Sequence, residues 1–462
     1  MSSLSALRRR LAAWVKTAPP VRVIAASFLL LVLLGCFLLT LPVSSAAGTL
    51  THPLDALFTA TSATCVTGLS VVDTTAHWSP FGQGVLLALI QLGGLGLSTF
   101  ATGFSLLVRR RLGLREMVLT GEASGSDMPD AAALLRLMLG FTFLCEGLGA
   151  GLLMLRLVPQ YGVQGVWPSV FVAVSAYCNA GFDILGFVPG NSSLTAFAGD
   201  PLVSLTICGL IVTGGLGFVV VRDLYLCKLR APLRRRGAGR LNFHSQICLR
   251  ATLALVGLGT LGFFLLEYDQ TMSHLNVLEK LVAALFQSVN TRTAGFASVD
   301  IGAQTSFTKV LSAALMFIGG CPGSTAGGVK TTTLVVLLAA VSSTLRGRGE
   351  ASVLRHRFAP GVVYKSLTVV LLGLAVVFAD ATALSLLNPE IRFIDVLYEA
   401  ASAFGTAGLT AGVTTRLEPV SRLILCVTMF IGRVGPLSFG LSIWMRAKPS
   451  PAILPEGRML IG

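Results

Sequence analysis

Charge is what this 462-residue sequence has least of: Asp, Glu, Lys and Arg together make up 12%, and histidine occurs five times. Soluble domains carry about 25% charged residues, so an aqueous globular fold is excluded. A mean hydropathy of +0.79 with 53% hydrophobic residues points instead to hydrocarbon as the main surroundings. Closely spaced cysteine pairs are also absent. The nine cysteines show no Cys-x-x-Cys, which speaks against a metal site and a disulfide framework and reads them as small apolar filler. No His-Glu-x-x-His, His/Asp metal set or nucleophile constellation is present either, so nothing in the sequence supports an enzyme.

What is present is a series of long apolar runs. Those at 21–42, 131–157, 247–266 and 362–387 are each near or above the roughly 20 residues that cross a bilayer. Strands would be shorter and would alternate, so these runs predict helices. Basic residues cluster between them, at 8–10, 109–115, 222–240, 346–365 and at Arg446 with Lys448. If all five clusters are cytoplasmic, each interval crosses the membrane an even number of times, with both termini inside. The net charge of +14 then reads as orientation rather than as a nucleic-acid surface. The first run exceeds a typical signal-peptide core and is expected to be a retained helix.

Four segments align on one glycine. Counted from ten residues before it, they read FTATSATCVTGLS from Phe58, FVAVSAYCNAGFD from Phe171, LFQSVNTRTAGFA from Leu285 and YEAASAFGTAGLT from Tyr398. A glycine-rich break follows within the next apolar run: LGGLG at 92–96, TGGLG at 213–217, IGGCPG at 318–323 and IGRVG at 431–435. The stretch that ends on the aligned glycine has roughly 10 helical residues, too few to cross. It must enter and leave on one side, and non-helical backbone at that depth has to be buried in protein or line a cavity.

The expected fold is therefore an all-α polytopic membrane protein of four M1-P-M2 units, with eight transmembrane helices and four re-entrant pore helices around a pseudo-fourfold pore. The expected limits are 1–20 for a cytoplasmic N-terminus, 21–110, 111–230, 231–345 and 346–446 for the units, and 447–462 for the tail. The aligned segments supply a lining: Val66, Thr67, Gly68 and Leu69; Asn179, Ala180, Gly181 and Phe182; Thr293, Ala294, Gly295 and Phe296; Thr406, Ala407, Gly408 and Leu409. Rings of backbone carbonyls can replace the hydration shell of potassium, and glycine lets successive carbonyls turn inward. Leu69, Phe182, Phe296 and Leu409 are expected to pack outward as the wall.

Together with GGCPGSTAGGVKTT in the third unit and GRVG in the fourth, these segments resemble the Trk/Ktr/HKT superfamily of potassium transporters over about 21–445. With little before the first unit, the chain is most similar to the eight-helix Ktr membrane subunit (KtrB) rather than the longer TrkH. The resemblance implies potassium uptake across the cell membrane through a gated, channel-like pore, with potassium bound only at the filter. It also implies a homodimer regulated by a cytoplasmic RCK ring of the KtrA kind, with nucleotide on that ring alone and sodium as a candidate activator. In the family, glycine rather than serine at the position of Gly68 goes with preference for potassium over sodium. The alternative is a secondary carrier coupling potassium to sodium or protons, which would want acidic groups at the midplane.

The remaining charges single out places where the units differ. Arg433 occupies the position of Gly94, Gly215 and Gly320 and would project a cation below the filter; a buried arginine paired with a carboxylate or helix carbonyls is the other reading. The third break, 319–333, carries Gly319, Gly320, Cys321, Pro322, Gly323, Ser324, Thr325, Ala326, Gly327, Gly328 and Lys330. A continuous helix is improbable there, and the resemblance implies an intramembrane gating loop. It does not fit a phosphate-binding loop, because Val329 separates Gly328 from the lysine. Asp73 and Asp300, five residues past their glycines, would face each other across the outer mouth or simply cap their loops. Arg292 is expected to pair with Glu399 behind the filter, and Glu146 and Asp380 are expected to be structural.

Overall fold

The computed structural model describes residues 20–96, 131–188, 193–225, 227 and 241–435. The basic clusters at 8–10, 109–115 and 446–448, most of 222–240, both termini and the junction of the first two units lie outside the described residues.

Backbone in lipid must satisfy its own hydrogen bonds, and the chain does so almost wholly with helix. The first unit comprises α1 (Pro20–Thr40), α2 (Pro53–Cys65) and α3 (Pro80–Leu95). The second has α4 (Ala131–Tyr161), α5 (Val166–Cys178), α6 (Pro201–Gly215) and α7 (Phe218–Leu224). The third has α8 (Phe243–Glu267), α9 (Val277–Asn290), α10 (Ser306–Phe317) and α11 (Thr331–Leu345). The fourth has α12 (Pro360–Leu387), α13 (Phe393–Gly405) and α14 (Pro419–Val434). A two-residue hairpin, Ser352–Val353 with His356–Arg357, is the strand pairing among the described residues.

Among the described residues four helices are long and apolar enough to cross a membrane, five if one bent pair counts as a span. That pair is α6 with α7, which meet at 100° across the 213–217 break. The second helix of the third unit is likewise split, into α10 and α11, by the glycine-rich loop. Exposure runs opposite to that of a soluble protein. Leu30, Phe37, Leu253, Leu258, Leu371 and Phe378 on the first helices are more than half exposed, as lipid-facing side chains should be. The short helices α2, α5, α9 and α13 are the most deeply buried. The chain is a multi-pass membrane protein whose core is formed by helices too short to cross a membrane.

Adjacent units are held by contacts at equivalent positions. The fourth residue of α3, α6, α10 and α14 is Gln83, Ser204, Lys309 and Arg422. Three of these reach the start of the next short helix around the ring. Trp167 Nε1 donates to Gln83 Oε1 at 2.8 Å, Lys309 Nζ lies 2.7 Å from Asp395 Oδ1, and Arg422 Nη1 lies 2.9 Å from Asp55 Oδ1. Asp55 and Asp395 both stand 13 residues before their aligned glycine. Lys309 is almost completely buried and also donates to the Gly302 carbonyl, while Arg392 takes the second oxygen of Asp395. Between units 2 and 3 the hydroxyl of Ser204 stays with its own unit's Phe197 carbonyl.

Removing one partner of such a buried pair costs about 3–5 kcal/mol, whereas replacing both with apolar groups can be nearly neutral. Lys309→Met alone is expected to lower the unfolding temperature of the solubilised protein sharply, and Lys309→Met with Asp395→Leu to restore much of it. Equal destabilisation by the single and double variants would mean the pair is not a clamp.

Candidate ion pathway

Each short helix ends in a forced reversal. Val66, Asn179 and Thr406 follow the last helical residue of α2, α5 and α13 in the left-handed region, with φ of 57°, 61° and 51°. The amide of the next residue reaches back five positions, from Thr67 to Ser62 O, Ala180 to Ser175 O and Ala407 to Ser402 O, at 2.7–2.8 Å. The third unit makes the turn differently. Thr293 is its left-handed residue (φ 77°), the amide of Ala294 bonds Asn290 O, and the Asn290 side chain clasps both backbone groups of Phe296. A β-branched residue with positive φ is strained, and valine or threonine takes this conformation in three of the four units.

Two residues on, the aligned glycines Gly68, Gly181, Gly295 and Gly408 also have positive φ, between 69° and 97°. They meet in chain order. A Cβ built on Gly68 would come within 3.0 Å of the Ala180 carbonyl oxygen, one on Gly181 within 3.0 Å of Ala294 O, one on Gly295 within 3.0 Å of Ala407 O, and one on Gly408 within 3.0 Å of Thr67 O. Each contact joins one unit to the next, and the last returns to the first. The ring has no room for side chains, so its surface is main chain. Leu69, Phe182, Phe296 and Leu409 are buried behind it.

The second helices of the units pack against the ends of the short ones. Gly93, Gly214 and Gly432 leave their neighbours space, since a Cβ on each would overlap the carbonyl of Thr64, Tyr177 and Phe404 respectively. In the third unit the chain leaves the helix and forms a loop. Val329 pairs alongside Ile318, the amides of Cys321 and Thr325 donate to Gly215 O and Gly214 O, and the amide of Phe218 donates to Gly323 O. The loop thus occupies the break between α6 and α7. Thr325 Oγ1 donates to Tyr177 O at 3.2 Å, and Gly327 lies tight against Thr406, at the ends of α5 and α13. Lys330 Nζ turns back to the loop's own carbonyls, Ala326 O at 2.7 Å and Gly327 O. Arg433 bridges three units: from α14 its guanidinium donates to Thr325 O in the loop and to Gly93 O and Gly94 O at the end of α3.

Against known families, residues 7–453 match the family model TrkH, described as a cation transport protein. The chain belongs to the TrkH family. It is 40% identical to Ktr system potassium uptake protein B of Bacillus subtilis over 97% of this chain and 98% of that one. It is 35% identical to the potassium/sodium uptake protein NtpJ of Enterococcus hirae, with the same coverage. The solved potassium transporter TrkH of Vibrio parahaemolyticus shares the fold, with a TM-score of 0.68 at 18% identity, covering 91% of this chain and 85% of the other.

Within this TrkH-family chain the expected Arg292–Glu399 pair does not form. Glu399 accepts from Thr414 Oγ1 in the loop beyond the fourth glycine. Arg292 points the other way, into a small cavity lined by Thr252, Gly215 and Gly320. Arg292 lies just beyond the end of α9 and Glu399 in the middle of α13, and spacing along the chain does not reveal which groups each one meets. Asp380 accepts from Thr428, tying α12 to α14, and Glu146 lies 4.0 Å from Cys178 Sγ. Lys309, Asp395, Arg422 and Asp55 were passed over in the sequence. The signal was an acid 13 residues before the glycine and a base at the fourth residue of the preceding broken helix.

Asp73 and Asp300 both serve as loop caps. Asp73 Oδ1 accepts from the amides of Thr75 and Ala76 at 2.8 Å, and Asp300 Oδ1 from those of Gly302 and Ala303. Asparagine can keep such bonds without the charge, and losing a cap costs about 1 kcal/mol. Asp73→Asn should therefore retain rubidium uptake at low ionic strength, while Asp73→Ala lowers thermal stability. A large loss of uptake in Asp73→Asn that salt erases would show that the carboxylate's field matters more than its cap.

Proposed function

We propose that the chain takes up potassium across the cell membrane through a gated pore, with its selectivity filter at the four-glycine ring. The observation that carries this reading is the closure of the ring in chain order, each glycine against the carbonyl of the next unit. Residues 66–69, 179–182, 293–296 and 406–409 supply main-chain oxygens, which suit a dehydrated monovalent cation. The C-terminal ends of α2, α5, α9 and α13 lead directly into the ring, and their partial negative charge favours a cation there. The related uptake proteins that match over nearly the whole chain are named for potassium, and one for sodium as well. Sodium is accordingly a candidate second ion or activator.

Access from inside is controlled by the third unit's loop and by Arg433. The loop fills the break under the ring, and the arginine puts a fixed positive charge beside it, so a cation leaving the filter meets both a steric and an electrostatic barrier. Asp73 and Asp300 stand at the outer entrance, their carboxylates committed to loop turns. The pore works as a homodimer with cytoplasmic termini, under a cytoplasmic RCK-type ring that holds the nucleotide and acts on the loop.

Two measurements test the reading in a potassium-transport-deficient bacterium and in liposomes. Gly68→Ser should weaken discrimination of potassium against sodium, because a side chain there presses on the Ala180 carbonyl; discrimination equal to wild type would sink the filter assignment. Arg433→Ala should raise flux by roughly tenfold if about 1.4 kcal/mol of barrier is lost. Unchanged flux in a well-folded variant removes Arg433 from the gate.

A further inference from the structure

The sequence reads the cysteines as filler, yet two of them meet at the intramembrane loop. Cys321 lies in the loop and Cys248 on α8, and both are fully buried. The two pack together in one buried cluster with Val220, and Cys321 Sγ lies 4.0 Å from the Cys248 carbonyl oxygen. Further polar groups converge on Cys321: Thr331 Oγ1 donates to its sulfur at 3.3 Å, and Thr252 Oγ1 lies 3.7 Å away. Arg292, which found no carboxylate, interacts electrostatically with both sulfurs, and its buried Nε has no hydrogen-bond partner. A cation and hydroxyl groups around one sulfur make it the more nucleophilic member of the pair. Cys248 has a way out: its sulfur lies 3.5 Å from His244 Nε2, and His244 lines an open cleft with Ile247, Thr332 and Lys365.

We infer that Cys248 and Cys321 form a thiol–disulfide site, oxidised by a small peroxide, that tethers the loop to α8. The Cys321 thiolate attacks one oxygen of hydrogen peroxide, the O–O bond breaks, and hydroxide leaves, taking up the proton the thiol gave up. The sulfur is now a sulfenic acid. Cys248 attacks it, the S–S bond forms, the S–O bond breaks, and a second water departs. Two thiols and one peroxide thus become one disulfide and two waters. A cavity with about the space of one water is lined by Arg292, by Gly320 next to Cys321 in the chain, and by Thr252, whose Oγ1 lies 3.7 Å from the Cys321 sulfur. A cytoplasmic dithiol reverses the reaction by exchange.

The effect on flux rests on the proposed role of the loop as a barrier. In the reduced state the loop is held to the α6–α7 break by single hydrogen bonds, which can be exchanged as it moves. A covalent link to α8 removes that freedom and keeps the barrier in place.

The test uses the full chain in liposomes, treated with hydrogen peroxide and then with dithiothreitol, with rubidium flux and non-reducing peptide mass spectrometry read in parallel. The expected result is a Cys248–Cys321 linked peptide and a roughly tenfold lower flux, as for a tenfold smaller open population, both reversed by dithiothreitol. Cys248→Ala should keep its untreated flux and lose the response to peroxide. Failure to find the linked peptide in oxidised protein overturns the thiol site and leaves the pore reading untouched. A linked peptide with unchanged flux overturns both the switch and the loop's role as the inner barrier.

Discussion

The approach of four backbone segments to one another, closer than any side chain permits, is the constraint on which the rest of the structure depends. Hydrocarbon does not tolerate irregular backbone, so the four turns at Val66, Asn179, Thr293 and Thr406 have to be enclosed by protein. The enclosure is built in shells. Short helices stand behind the turns, broken helices press glycine against the ends of three of them, and long apolar helices separate the whole from lipid. The positive-φ valine and threonines are unfavourable on their own and persist because the packing around them leaves no alternative.

Symmetry accounts for the ring, and its violations gather in the third and fourth units. Three units make the same helix-ending turn; the third replaces it with an asparagine clasp and interrupts its second helix with a loop. The fourth substitutes arginine where its counterparts carry glycine. The loop and the arginine touch each other through Arg433 and the Thr325 carbonyl. The loop, Arg433 and the end of α3 are therefore a single assembly drawn from three units.

The parts legible in the sequence were those the backbone dictates. A turn that admits only glycine leaves a glycine in every copy, so the register of Gly68, Gly181, Gly295 and Gly408 could be read without coordinates. The same holds for the breaks, where α3, α6, α10 and α14 end at or beside the glycine-rich motifs. Side-chain pairing was not legible. Lys309 and Asp395 are 86 residues apart, Arg422 and Asp55 367 apart, and which charges meet depends on the rotation of each helix about its axis. Arg292 makes the same point: three residues before a ring glycine, it meets a small cavity and two sulfurs rather than Glu399.

The joint between the fourth unit and the first has a consequence for how the molecule is made. Gly408 against the Thr67 carbonyl and Arg422 against Asp55 join the last unit to the first. A chain emerging in order from the ribosome can complete two joints of the ring, but neither joint of the fourth unit until its final helices are in the bilayer. Before then the circle of carbonyls is an open arc with no fourth wall and no arginine beneath it. The closed ring and the arginine contacts beside it therefore come into being together at the end of synthesis, and a half-made chain has neither.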